Sequence, residues 1–377
     1  MNDLRRLAWV IDQLGPGGAE RLALRFAAIA RSWHIELVCL HAATQESLER
    51  LWGRQLEPLR GRIHCVGMHG LDDAAGWCRL LRLLARSRPE LIHTHLRYAT
   101  IWGALAAQLL RRPFVSTVHS CPPVDTAPRQ RLAAAWERRC RRQAARVVYV
   151  SAAQRQAWGA VAARERAVVI GNGVCLPEEP TADRRALRQA LGLPGEARIF
   201  ITVAVVRAPK GWRTWLAAAE QIAVARPQAH FVWVGGGPEW PLLRQAADRS
   251  PLAARIALPG SSTDVARWLQ ASDLFLFPSE QEAQPTAVME AMAAGLPVVA
   301  SRLPAIEEVL AGCGQLVAVG DARALATAAL AWSESRGPGA SAARAAAAAG
   351  RQRTLGPLSE ACWLQRLSGL YEEVLEA

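Results

Sequence analysis

Between Leu274 and Val299 the sequence reads as strand, polar loop, helix, glycine and strand, and this order points to an open α/β sheet. Leu274 to Phe277 is an apolar run without charge, and the loop Pro278 to Pro285 carries Glu282. A helix then starts near Thr286, Gly295 closes it, and Pro297 leads into a second buried strand. Open α/β sheets hold ligands in the loops at their strand ends. The first backbone N–H groups of a helix have no partner inside it, so those around Thr286 to Val288 are expected to face an anion. Glu290 sits one turn in, where a carboxylate can accept two hydrogen bonds from a sugar diol. The combination suits a nucleoside diphosphate carrying a sugar.

The same alternation runs through most of the chain. In the first half, strands are expected at 6–12, 35–40, 63–66, 91–95, 114–119, 146–150 and 167–170. Helices are expected at 19–30, 76–87, 99–110 and 129–142. A turn-rich, acidic stretch at 171–180 reads as a linker. The second half repeats the pattern, with strands at 198–205, 230–234, 256–258 and 274–277 and helices at 212–225, 241–247 and 264–270. From Asp321 the chain is largely helical and ends in an amphipathic helix, 360–375, with Trp363, Leu367 and Tyr371 four residues apart. At 377 residues two domains are the default. The expected division is 1–175, an N-terminal Rossmann-like domain; 176–355, a second Rossmann-like domain carrying the loop and helix start described above; and 356–377, a helix packing back on the first domain.

Charge is distributed unevenly. Residues 1–177 hold 26 arginines, no lysine and 13 acids; residues 178–377 hold 19 basic residues and 20 acids. The surplus positive charge thus belongs to the first half. An anionic partner favours such a bias, although an arginine-rich overall composition is an alternative source. The helix 129–142 combines six arginines, Arg138 and Arg142 among them, with Leu132 and Trp136, a composition suited to an anionic lipid surface. The eight cysteines form no CxxC pair and read as small buried hydrophobes in a reducing compartment, with neither a zinc site nor a disulfide framework indicated. No uncharged run approaches the ~18–20 residues that cross a bilayer. A cytoplasmic address is expected. The histidines form no tight metal-binding cluster in sequence, and no GxSxG elbow is present.

Lys210 is the single lysine of the chain, ahead of Gly211 and the helix 212–225. A compact ammonium aimed at a diphosphate is a physical reason for one lysine among arginines. Gly15 to Gly18 form a glycine-rich turn in which backbone can approach a ligand closely, although the dinucleotide fingerprint spacing fails. Gly235 to Gly237 allow a similar approach, Asp264 reads as a helix cap, and His93, His95 and His119 fall at strand ends.

In order and spacing the pieces GPGGAER at 15–21, the His93/His95 strand end, TVHS at 117–120, IGNGV at 170–174, Lys210-Gly211, VGGGP at 234–238, Asp264 and the Glu282/Glu290 pair resemble the retaining glycosyltransferases of family 4. The resemblance implies the GT-B fold, two Rossmann-like doubly wound α/β domains facing across a cleft. It implies that Glu290 holds ribose hydroxyls and Glu282 the donor sugar, and that amides of Ala283, Gln284, Thr286, Ala287 and Val288 meet sugar and diphosphate. Gly17, Gly18, Gly236 and Asp264 complete the donor site. Lys210, Arg207, Glu282 and His119 are the implied catalytic groups, and His95, Arg138 and Arg142 the acceptor side. Two departures stand out. Relatives often keep an arginine at the place of Val205, so Arg207 is expected to replace it, and Ala283 stands where many have glycine.

The activity implied is retaining, metal-independent transfer of a hexose-like unit from a nucleotide sugar to a lipid-linked or lipopolysaccharide-type acceptor. A UDP-sugar is the first expectation, with GDP- and ADP-sugars as alternatives, and no cofactor or nucleic acid takes part. The expected location is the inner face of the inner membrane, where the enzyme would be peripheral and held by its basic half. Transfer to a small soluble acceptor, epimerisation of a nucleotide sugar, and an inactive GT-B scaffold are the competing readings.

Overall fold

Two fully parallel sheets organise the chain, each built from strands joined by crossover helices. The computed structural model describes residues 4–15, 17–122, 127–175, 184–334 and 337–377. The chain divides into one unit of residues 1–172 with 363–377 and a second of 173–362.

In the first unit the elements are β1 (Arg5–Ile11), α1 (Gly18–Ile29), β2 (Trp33–Cys39), α2 (Gln45–Trp52), β3 (Ile63–Cys65), α3 (Ala74–Ser87), β4 (Leu91–His95), α4 (Arg97–Leu110), β5 (Phe114–Val118), α5 (Pro128–Arg141), β6 (Arg146–Tyr149), α6 (Ala152–Ala162) and β7 (Ala167–Val169). The strand order is β3-β2-β1-β4-β5-β6-β7, so the order reverses between β1 and β4. Side chains alternate across the sheet. Leu7, Trp9 and Ile11 enter the core beneath α1, whereas Ala8 and Val10 enter the core shared with Leu80, Leu84 and Trp102.

In the second unit follow α7 (Arg184–Ala190), β8 (Arg198–Val203), α8 (Trp212–Ala225), β9 (Ala229–Val234), α9 (Trp240–Arg249), β10 (Ile256–Gly260), α10 (Val265–Ala271), β11 (Leu274–Phe277), α11 (Thr286–Ala293), β12 (Val298–Ser301), α12 (Pro304–Leu310), β13 (Gln315–Val317), α13 (Ala322–Trp332) and α14 (Pro338–Leu355). The order β10-β9-β8-β11-β12-β13 reverses between β8 and β11. Phe275 and Phe277 pack on one face with Ile199 and Ile201; Leu274 and Leu276 pack on the other with Phe200 and Trp215. Near-continuous apolar strands are what a sheet covered on both faces requires.

The last helix, α15 (Glu360–Glu376), places Trp363, Leu367, Leu370, Tyr371 and Val374 in the core of the first unit. Rings of Trp363 and Tyr371 meet Phe26 edge-on at 5.3 and 6.0 Å. Several helices start where a side chain caps them: Asp73 accepts from Gly76 N–H, moving the start of α3 two residues ahead of the expected one, and Ser151 caps α6. The linker expected at 171–180 lies partly outside the described residues. Among those residues no helix is long and apolar enough to cross a membrane.

Replacing Trp363 by Ala removes a buried ring that holds α15 to its sheet. The expected loss is about 3–5 kcal/mol, read by urea denaturation; a loss under about 1 kcal/mol would place α15 outside the core.

Candidate active site

The reversal between β8 and β11 opens two loops at the carboxyl ends of neighbouring strands, the position where open α/β sheets bind ligands. One loop, 204–211, ends in a short 3-10 turn, Ala208–Lys210. The other, 278–285, leads into α11. Backbone and side chain stitch them together: Glu280 N–H and Ser279 Oγ both donate to the Pro209 carbonyl, at 2.9 and 3.0 Å. Gly211, at φ 69°, lies so close that a Cβ there would stand 2.0 Å from the Pro278 carbonyl oxygen. Across this junction Lys210 Nζ donates to Glu282 Oε1 at 2.5 Å, their side chains 15 and 7% exposed. Phe277 lies below the ammonium, 6.0 Å from nitrogen to ring centre.

The start of α11 follows directly. Its cap position is Pro285, which donates no hydrogen bond and caps nothing with its side chain. The N–H groups of Thr286 and Ala287 have no acceptor among the described residues. Val288 departs from expectation: its N–H donates to the Pro285 carbonyl at 3.1 Å, because the first turn is tightened, so it is not among the open amides. Glu290 is half-buried one turn in, while Ala283 and Gln284 occupy the loop beside Glu282.

Other expected donor residues are held by their own fold. Gly235 and Gly237 (φ 144° and 150°) pass against the backbone of 204–206; a Cβ on either would meet a carbonyl oxygen at 2.0 or 2.5 Å. Gly236 N–H donates to Ser261 Oγ at 3.2 Å, so its amide is engaged within the unit. Gly235 and Gly237 are therefore required by the neighbouring strand turn itself, whereas Gly236 faces the Ser261 side chain. Asp264 Oδ1 accepts from Arg267 N–H at the start of α10 and is exposed. Arg207 is exposed at the end of β8's loop. Glu239, which sequence reasoning overlooked, braces that loop by accepting from Ala208 N–H and Trp212 Nε1, at 2.8 and 2.7 Å. Its position just past the glycine run was the available clue. A cavity of about 600 Å³ opens at the opposite, amino-terminal end of these strands, where Asp273 is held by Arg184, Arg188 and Arg198. That network ties α7 to the strand starts.

In the first unit the corresponding reversal brings β1 and β4 together. His95 stacks on Trp9 at 4.2 Å and its Nδ1 bonds His119 Nε2 at 2.9 Å. His93 is packed, as its sequence position suggested: it bonds Tyr371 Oη and Thr117 Oγ1 at 2.5 and 2.7 Å. Burial holds His119 down at about 4 and pushes His93 and His95 well below the usual histidine range, so all three are neutral near pH 7. His95 Nε2 has no partner among the described residues, and it borders a cavity of about 10 Å³, room for about one water. Arg138 is half-buried and Arg142 exposed on the α5 side.

The glycine turn behaves differently from expectation. Pro16 lies outside the described residues, and Gly17 N–H donates to the Gly15 carbonyl at 2.8 Å, so this amide is already engaged. Gly18 begins α1, and the buried Glu20 carboxylate folds back so closely that a Cβ on Gly17 would stand 2.1 Å from it. Asp12, at the end of β1, accepts from Ala99 and Tyr98 N–H at 2.6 and 3.3 Å and so caps α4 from another element.

Comparison with known proteins supports one class. Residues 16–176 match the family described as Glycosyltransferase Family 4, and residues 197–335 that described as Glycosyl transferases group 1. A 2-deoxystreptamine N-acetyl-D-glucosaminyltransferase from Streptomyces fradiae is 29% identical over 296 residues, 72% of this chain and 69% of its own. A lipopolysaccharide core biosynthesis mannosyltransferase from Rhizobium meliloti is 29% identical over 167 residues, 42% of this chain and 48% of its own. The structure of Anabaena HepE in complex with UDP-glucose superposes with a TM-score of 0.84 at 21% identity, over 98% of this chain and 99% of that one. The chain is a glycosyltransferase of the GT-B fold. Its reaction is transfer of a sugar from a nucleotide-sugar donor to an acceptor.

Burial, opposed by the two N–H groups it accepts from, pushes Asp12 up to about 7. The folded chain thus favours the neutral acid. That contribution is complete below the unfolded value near ~4 and is lost as pH rises through about 7. Asp12→Asn removes the titration. The difference in Tm between variant and parent should therefore shift in the variant's favour between roughly pH 5 and pH 8. A difference that stays constant with pH would show that Asp12 does not titrate in this range.

Proposed function

We propose that the chain transfers a hexose-like sugar from a UDP-sugar, with GDP- and ADP-sugars as alternatives, to a hydroxyl of a lipid-linked or lipopolysaccharide-type acceptor. Configuration at the anomeric carbon is retained and no metal ion is required. The observation that carries this reading is the junction of β8 and β11, where the Lys210 ammonium meets Glu282 in the loop that leads to two open helix amides and Glu290.

The diphosphate is held by Thr286 and Ala287 N–H at the positive end of α11, with Lys210 supplying a full charge. Glu290 accepts the ribose hydroxyls and Glu282 a hydroxyl of the sugar. As charge develops on the departing diphosphate, these groups are already in place and need no reorganisation. They supply the charge that a divalent ion supplies elsewhere. Glu282 is ion-paired to Lys210 in the free enzyme, which makes it a poor nucleophile. The reading is therefore same-face attack. The bond from anomeric carbon to diphosphate oxygen breaks, the acceptor oxygen bonds that carbon, and the acceptor proton passes to the departing diphosphate. Arg207, exposed beside this junction, moves onto the phosphates when the donor binds, and neutral His119 donates a hydrogen bond to the sugar or the departing oxygen.

The acceptor is assigned to the basic first unit, with His95, Arg138 and Arg142 on its side. Along α5, Leu132 and Trp136 are 72 and 39% exposed among Arg129, Arg131, Arg139 and Arg142, all exposed. Apolar side chains set among cations suit an anionic bilayer surface. The name of the Rhizobium relative supports a lipopolysaccharide-type acceptor, and with it a peripheral enzyme on the cytoplasmic face of the inner membrane. The name of the Streptomyces relative favours the second reading, transfer to a small soluble acceptor.

A panel of UDP-, GDP- and ADP-sugars read by thermal shift, followed by product analysis with the stabilising donor, tests the reaction. One donor should raise Tm, and the product should keep the donor's anomeric configuration. Lys210→Ala should lower kcat by about 10²–10³-fold, and Glu290→Ala should abolish the thermal shift. An inverted product, or unchanged kcat in the lysine variant, would defeat the mechanism.

Membrane attachment has its own test. The full chain should float with vesicles of phosphatidylcholine and phosphatidylglycerol, not with phosphatidylcholine alone, and should be released by salt. The double variant Leu132→Ala, Trp136→Ala should lose most of the bound fraction. Equal binding to both vesicle types would count against a charge-directed surface.

A further inference from the structure

Two thiols outside the candidate active site meet at the edge of the first sheet. Cys39 ends β2, Cys65 ends β3, and the two are direct register partners on parallel strands. Paired residues on parallel strands project to the same face. Their Cα atoms lie about one strand spacing apart, ~4.8 Å, inside the ~4.4–6.8 Å range that a disulfide spans. Both cysteines are free. Their surroundings differ in a way that divides the work. Cys65 is exposed, on a three-residue edge strand, while Cys39 is buried, with its sulfur 3.3 Å from the His41 carbonyl. Contact with Cys39 holds the Cys65 thiol below its ordinary range, whereas the same contact and burial push Cys39 up. An exposed thiolate beside a buried protonated thiol is the arrangement of an attacking and a resolving cysteine.

We propose that Cys39 and Cys65 form an oxidisable dithiol that reacts with hydrogen peroxide and closes reversibly to an intramolecular disulfide. In the first step the Cys65 thiolate attacks one peroxide oxygen. The O–O bond breaks, and the departing hydroxide takes a proton to become water, leaving a sulfenic acid on Cys65. In the second step the Cys39 sulfur attacks the Cys65 sulfur. The S–S bond forms, the S–OH bond breaks, and hydroxide leaves with the Cys39 proton as a second water. The thiol pair gives up two electrons and the peroxide receives them. A cellular dithiol or glutathione reverses the bond by exchange. The disulfide would pin the edge strand β3 to β2 and draw Cys39 away from the carbonyls of Asp12 and His41, which it touches in the reduced chain.

The test uses the full-length protein carrying Cys78→Ser and Cys175→Ser, which removes two other exposed thiols. After limited hydrogen peroxide, the chain is denatured, alkylated and mapped by mass spectrometry. The expected result is the loss of two alkylatable thiols, a cross-linked peptide joining Cys39 to Cys65, and recovery of both by dithiothreitol. In Cys39→Ser, dimedone should trap a sulfenic acid at Cys65. A second measurement needs no core substitution: in the parent chain at neutral pH, iodoacetamide should label Cys65 at least tenfold faster than Cys78. The proposal is overturned if all thiols survive, if the cross-links join other cysteines, if Cys65 runs to sulfinic acid while Cys39 stays reduced, or if the two labelling rates are equal.

Discussion

The ion pair between Lys210 and Glu282 is the contact on which the candidate site of the second unit turns. It joins the loops that leave β8 and β11 where the strand order reverses, and it is almost entirely enclosed. Enclosure makes stability a poor explanation for its presence. Desolvating an ammonium and a carboxylate costs several kcal/mol each, and their attraction at close range does little more than return it. Packed hydrocarbon would hold two loops together at least as well. A fixed ammonium is useful when the neighbouring ligand gains negative charge during reaction, and the carboxylate keeps it aimed until the ligand arrives. The surrounding devices serve that aim: Gly211 pressed against the Pro278 carbonyl, Ser279 and Glu280 bonded to Pro209, Glu239 bracing the turn from the far side.

The first unit solves a different problem with neutral groups. Trp9, His93, His95 and His119 form a stacked and hydrogen-bonded cluster at the end of β1, β4 and β5, closed by Tyr371 from α15. Three imidazoles this close could not all be charged, and burial keeps them neutral instead. Each neutral ring donates from one nitrogen and accepts at the other. The bond between His95 and His119 therefore couples the tautomers of those two rings, while His93 is set separately by Tyr371 and Thr117. The C-terminal helix reaches His93 through the Tyr371 hydroxyl, which gives its placement in the first unit a consequence beyond packing.

Much of this was legible in the sequence, and what was not has physical causes. Uncharged strands such as Leu274–Phe277 declare themselves, because a sheet covered on both faces tolerates little else. The glutamate pair and the single lysine stood out by residue type and spacing. Their direct bond did not, since Lys210 and Glu282 are 72 residues apart and meet only through the order of strands. Helices α2, α6 and α7 gave little warning. They are short, and α6 is interrupted at Gly159 (φ 44°), so its apolar spacing never settles into one period. The glycine runs misled in the opposite direction. Gly235 and Gly237 are needed by their own neighbouring backbone at 204–206, a close approach that the letters alone do not distinguish from a ligand contact.

The two strand-order reversals differ in what they offer an anion. In the first, the helix that follows the glycine turn has its amino end answered by its own acid: Glu20 folds back over Gly17, and burial raises its carboxyl above the ordinary range. An anion placed there would confront a carboxylate or force it to take up a proton. In the second, α11 begins at Pro285, which cannot cap and has no N–H to spend, and two of the amides behind it stay open. Lys210 stands at the same strand-end junction with its charge directed by Glu282. The same architecture thus presents one closed and one open positive end. The open end is the one whose loop and helix also carry Glu282 and Glu290, so under the proposed reading charge and hydroxyl recognition fall at a single place.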